Sequence, residues 1–122
     1  MSKSQTAAES IFIKALHLIV PVTLALALLC TDIWYLESGS MAPLYPTGSV
    51  IITSKLIKPH IGSVCAYRHN GIIIVHRIVS QDAQGFILKG DANNVTDPVS
   101  VPEETLEGVM LFGIRPVWKF LA

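Results

Sequence analysis

The sequence predicts a mainly β chain: an N-terminal transmembrane helix followed by one small antiparallel β domain, built as a folded sheet or partial barrel. Three observations lead there. Residues 15–31 form a run of 17 without a formal charge, at the short end of what crosses a bilayer as a helix. Beyond Pro43 the pattern changes to short β-branched runs punctuated by Pro, Gly and Asn, as strands and turns require. Asn70-Gly71 stands between two of those runs, and both central positions of a type I′ hairpin turn need positive φ.

Composition narrows the rest. A chain of 122 residues that commits its first third to an apolar segment has room for one small domain, which buries only about 60 to 65% of its unfolded surface. Nine basic residues balance nine acidic ones, so no net field draws nucleic acid. Cys30 lies in the apolar run and Cys65 in an expected strand; the pair defines neither a disulfide framework nor a metal site. No cofactor is implied.

In chain order, residues 1–14 read as a cytoplasmic N-terminal segment, short and polar over 1–10, with Lys3 and Lys14 as its positive charges. Residues 15–36 read as the transmembrane anchor. Lys14 snorkels, Pro21 is tolerated inside a span, and Trp34 and Tyr35 suit an interfacial aromatic belt. His17 reads as a neutral or interfacial histidine. Lysines before the span and Asp32 and Glu37 after it put the N-terminus in the cytoplasm and the remainder outside, by the positive-inside rule. A cleavable secretory signal is the competing reading, but the apolar run is at the long limit for one and no clean small-x-small site follows it before Asp32.

Residues 37–122 form the extracytoplasmic domain. Strands are expected over 49–54, 63–68, 71–80, 85–89 and 108–112. The 70–71 hairpin carries His76 on a stiff strand rather than a loop, where side chains are held more tightly. Residues 114–122, with Pro116, Trp118 and Phe120, are too short to span and either pack on the sheet or dip into the interface.

Three stretches can carry chemistry. A serine needs a base and oxyanion donors before it is a useful nucleophile, and Ser40 sits in Ser38-Gly39-Ser40-Met41-Ala42-Pro43, where Gly39 permits a tight backbone. His76 lies in the apolar stretch Ile74-Val75-His76-Arg77-Ile78-Val79; an imidazole serves as base near neutrality without the large depression a lysine requires. The third is Lys89-Gly90-Asp91-Ala92-Asn93-Asn94-Val95-Thr96-Asp97-Pro98. Its two aspartates are either an Asx-turn pair or the source of a carboxylate that orients the histidine. The spacing does not fit an EF-hand calcium loop.

Taken together and in this order after an anchor, the stretches resemble type I signal peptidases, in the branch typical of the endoplasmic reticulum, archaea and some Gram-positive bacteria, where histidine replaces the lysine base. The similarity covers about residues 38–113. It implies a signal-peptidase-like β domain and a membrane-bound serine endopeptidase that removes signal peptides from secreted preproteins. It further implies Ser40 as nucleophile, His76 as base, Asp97 orienting the histidine, and Asp91 as a second acid, structural or catalytic. The Ser40 N–H is then the oxyanion donor, with the Ser38 hydroxyl as a second. Met41, Leu44 and Tyr45 are expected to contact substrate or lipid and set the depth of the cut. The implied partners are preprotein signal peptides, membrane lipid and secretion-complex or assembly subunits. One departure is that Gly48 is followed by Ser49 where relatives commonly have aspartate. Two other classes stay in view: a catalytically silent, membrane-tethered β-domain that scaffolds secretion or assembly, and a secreted, cleaved binding module.

Overall fold

The computed structural model describes residues 3–120, with side chains from 6 to 118. Two compact units divide the chain, 1–30 and 31–122. The first is the helix α1, Lys3–Leu29. Its stretch Thr6–Leu29 has a mean hydropathy of 2.2 over its most apolar window; at about 1.5 Å per residue it is roughly 36 Å long, more than the ~30 Å of a bilayer core. Apolar side chains are exposed all round it, from Ile11 to Leu29, as a helix in lipid requires. By length and composition, then, the described residues include one helix able to cross a membrane.

The element boundaries differ from those expected. The helix starts at Lys3, because Ala7, Ala8 and Glu9 are good helix formers, and so takes in most of the short polar segment that was expected to precede the anchor. Met1 and Ser2, and the Lys3 side chain, lie outside the described residues. At its other end the helix stops at Leu29, not at Leu36. Thr31–Tyr35 is strand β1, in which Trp34 donates from Nε1 to Thr53 Oγ1 at 2.9 Å. Trp34 therefore anchors a sheet, and the aromatic belt expected at 34–35 is corrected to an alternating edge strand.

The second unit is an antiparallel sheet of seven strands: β1, β2 (Val50–Ser54), β3 (Val64–His69), β4 (Ile72–Asp82), β5 (Gly85–Lys89), β6 (Ser100–Val101) and β7 (Leu106–Ile114). Their spatial order is β1-β2-β7-β3-β4-β5-β6. The β3–β4 turn has φ of 52° at Asn70 and 77° at Gly71, the positive pair that a type I′ hairpin needs.

Alternation along the strands sends side chains to two faces, and each face has its own core. One holds Cys65, Tyr67, Ile78, Phe86, Leu88, Val101 and Val109. The other holds Leu36, Met41, Ile51, Val64, Ala66 and Val75, with Trp34, Tyr45, Ile73 and Met110 packed against them. The first core covers only part of its face. Across β1, β2 and β7 the register aligns Ile33, Ile52 and Phe112 in one row and Tyr35, Val50 and Ile114 in the next. Ile33 is 70%, Tyr35 60%, Phe112 53% and Ile114 51% exposed, so this part of the sheet is an uncovered apolar surface.

The tail packs on the domain, one of its two expected alternatives. Pro116 is buried, and the Trp118 ring occupies the space beside Gly48 that a Cβ there would enter. Val117–Phe120 is a 3-10 turn; the Phe120 side chain and residues 121–122 lie outside the described residues.

Candidate active site

The site forms where β4 loses a neighbour. β3 pairs with β4 from Ile72 to Arg77, but β5 pairs with β4 only from Arg77 to Asp82. The chain leaves β5 after Lys89, and the β4 edge over 72–76 is left without a ladder partner. Two loops meet at that point. The loop over 36–49 is pinned on one face by Leu36 and Met41, both buried in the second core. The loop over 90–99 is pinned on the other, where Val99 packs against the first core and the Asp97 N–H donates to Leu88 O at 2.8 Å.

A single backbone bond joins the two loops: Ala92 N–H donates to Ser40 O at 2.8 Å. The approach depends on Gly90. A Cβ at that position would stand 2.8 Å from Ser40 O and 2.7 Å from the Asn93 side chain, closer than real side chains come. Lys89 organises the same turn, donating from Nζ to Gly90 O at 2.9 Å and Asn93 O at 2.7 Å.

The structure brings Ser40, His76 and Asp97 together. Ser40 Oγ lies 3.1 Å from His76 Nε2. His76 Nδ1 lies 2.7 Å from Asp97 Oδ2 and 2.8 Å from Oδ1. The His76 and Asp97 side chains are 11% and 8% exposed, so water does not compete for the bond between them. An imidazole whose Nδ1–H is held by a carboxylate presents Nε2 as acceptor, which is the tautomer needed to take a proton from Ser40.

Ser38 Oγ lies 3.2 Å from Ser40 Oγ. The Ser40 N–H donates to no backbone carbonyl among the described residues, so it can donate to a negative oxygen formed beside Ser40 Oγ.

No protein-family model and no curated protein matches the chain.

Asp91 does not join the group around His76. It grips Arg77, with Nε to Oδ1 and Nη2 to Oδ2 both at 2.9 Å, while Arg77 Nη1 donates to Gly62 O at 2.9 Å. The planar guanidinium matches the carboxylate as a two-pronged pair, and Asp91 holds the Arg77 guanidinium above its already high ordinary value. Of the two roles open for Asp91, structural or catalytic, the structural one fits this placement and the catalytic one does not.

Met41 is a second correction. Expected at the substrate or lipid surface, it is fully buried, because the turn folds back and uses this side chain as its apolar anchor. Tyr45 is half-buried against the same core, and Leu44 is exposed. Ser49 is buried and closes a turn, its hydroxyl donating to Pro46 O at 2.7 Å.

Tyr67 was missed by the sequence reading. Its hydroxyl donates to Asp97 Oδ2 at 2.5 Å, and burial, with the Asp97 hydrogen bond and charge, pushes the phenol well above its ordinary value. A tyrosine in an apolar strand carries no signal beyond packing.

A cleft of about 590 Å³ opens beside the serine. Residues 34–38 and Ser40 line it together with Ile72–His76 and Asn93. One side of it is therefore the unpaired β4 edge.

Proposed function

We propose that this chain is a membrane-bound serine endopeptidase that removes N-terminal signal peptides from secreted preproteins. The observation that carries the reading is the hydrogen-bonded line from Ser40 Oγ through His76 to the Asp97 carboxylate, set at the mouth of a cleft with a free strand edge. A helix able to cross a membrane supports the class of substrate, since a signal segment is itself membrane-borne.

In this reading the extended stretch before the cleavage point lies along residues 72–76 and pairs with the β4 backbone as an added strand. In this reading small side chains before the cleaved bond seat against Trp34, Leu36 and the β4 aliphatic side chains that line the cleft, whereas bulky ones would hold the scissile carbonyl away. Ser40 Oγ attacks the carbonyl carbon as its proton passes to His76 Nε2. The oxyanion takes hydrogen bonds from the Ser40 N–H and, in the substrate complex, from the Ser38 hydroxyl. His76 then gives its proton to the leaving amine, which departs as the mature N-terminus. Water deprotonated by His76 hydrolyses the acyl-enzyme and frees the signal peptide.

The N-terminus is cytoplasmic in this reading and the β domain lies on the extracytoplasmic or lumenal side. Lipid contact falls to the uncovered rows on β1, β2 and β7 rather than to Met41. Those rows also favour a second reading, a catalytically silent β-domain tethered to the membrane as a scaffold. A serine-directed acylating probe tests the difference. Labelling confined to Ser40 and lost in His76→Ala supports the peptidase; an unlabelled wild-type protein supports the scaffold.

A further inference from the structure

Tyr67 and His76 are planted on adjacent strands. Cys65 is the register partner of His76 and Ile74 that of Tyr67, so the tyrosine and the histidine share a face in the diagonal relation across which long side chains meet. Asp97 arrives differently, on a loop with no ladder to fix its side chain. Its carboxylate is caught between the two, accepting from Tyr67 Oη on Oδ2 and facing His76 Nδ1 with both oxygens. The tyrosine ring is locked by the first core, at 1% exposure.

We propose that Tyr67 is a positioning residue of the proton relay, its hydroxyl holding the Asp97 carboxylate against His76 Nδ1 and drawing off part of its negative charge. The inference rests on reading Ser40, His76 and Asp97 as a proton-transfer unit. A carboxylate that accepts a hydrogen bond from a neutral donor has less charge to offer an imidazolium, so the bond sets both the aim of the base and its basicity.

The surrounding groups leave this role to the tyrosine. Burial and the Asp97 charge keep the phenol protonated, so it remains a donor. Lys89 is engaged by the Gly90 and Asn93 carbonyls, and Arg77 by Asp91. Cys65, across the ladder from His76, is pushed by burial up to about 12 and stays neutral. Glu37, on the rim of the cleft, is exposed.

The test uses the full chain in lipid nanodiscs, with Tyr67→Phe keeping the ring and removing the donor. Followed by imidazole NMR, the titration midpoint of the His76 ring is expected to rise by about half a pH unit or more. Cleavage of a signal-bearing preprotein is expected to slow roughly tenfold in kcat at neutral pH with KM unchanged, its acid limb moving with the ring. In an Asp97→Asn background the same change is expected to have no further effect.

If Tyr67→Phe is poorly folded by circular dichroism, 3-fluorotyrosine at position 67 replaces it as the probe. A more acidic phenol donates more strongly, and the midpoint is then expected to fall. A ring midpoint that stays put with either probe, or an equal loss of rate with and without Asp97, overturns the proposal. A midpoint that moves as stated in a protein whose wild-type form neither cleaves preprotein nor accepts an acylating probe upholds the tyrosine's role and removes the peptidase reading instead.

Discussion

Asp91 and Asp97 share one loop, and at the residue scale they have opposite duties. Asp97→Asn keeps the shape but offers His76 an amide, so under the proposed function preprotein cleavage is expected to fall by about 10³-fold or more, the order of loss that the same change causes in Ser-His-Asp proteases. Asp91→Asn breaks a half-buried ion pair, so the expected loss is in stability, about 1 to 3 kcal/mol, with the pH profile of the remaining activity unchanged; thermal melts beside rate profiles check both. The residues alone could not sort the two acids, because spacing within an irregular loop does not say where a side chain points; only the family resemblance favoured Asp97. Ser40 and His76 were legible since a serine in a tight glycine turn and a histidine in an apolar strand each need a reason. Met41 was misread because a methionine next to the candidate serine looks the same in sequence whether it faces out or anchors the turn.

Burial also makes a prediction about alkaline stability. The folded state raises Cys65 from 9.0 to about 12 and raises Tyr67 as well. Both groups are neutral when protonated, so the native state holds their protons more tightly than the unfolded chain does. Their contribution is fully present below about pH 9 and is lost as pH rises from there towards 12. Melting temperature is expected to be flat from pH 7 to 9 and to fall above that, with a shallower fall in Cys65→Ala. A slope unchanged by that substitution would mean that the thiol is not held neutral by the fold.

At the scale of elements, the site exists because β5 is shorter than β4 and the chain turns off after Lys89. Gly90 lets the departing loop touch the serine turn, and Gly90→Ala tests that contact. A Cβ there must push Ser40 O or Asn93 away, so the rate is expected to fall by about 10- to 100-fold, while circular dichroism keeps the wild-type strand signal. Strands β2, β3, β4, β5 and β7 were readable, since short apolar runs between Gly, Pro and Asn leave few alternatives and Asn70-Gly71 fixes one register. β1 was not readable. Ile33, Trp34 and Tyr35 continue the apolar run of the helix, so a strand there resembles the end of a span. β6, with two residues, has no periodicity to detect.

At the scale of the whole chain, a helix of membrane-crossing length precedes a sheet with a core on each face and a bare apolar surface over β1, β2 and β7. The full-length protein is expected to resist carbonate extraction, and Ser40→Ala and His76→Ala are expected to insert as the wild type does, because neither side chain belongs to the helix. Retention in the pellet of all three checks this. The helix was legible as an uncharged run, but the bare surface was not, because it arises only when three strands distant in sequence align their outward residues.

The central claim is that the Ser40 hydroxyl, served by His76, cuts a peptide bond. The most direct measurement is incubation of full-length protein in liposomes with a signal-bearing preprotein, the products being read by mass spectrometry. One cut after a small residue, by the wild type and by neither Ser40→Ala nor His76→Ala, is the result this account predicts. Cleavage by Ser40→Ala at the wild-type rate, or no cleavage by the wild type, would contradict it.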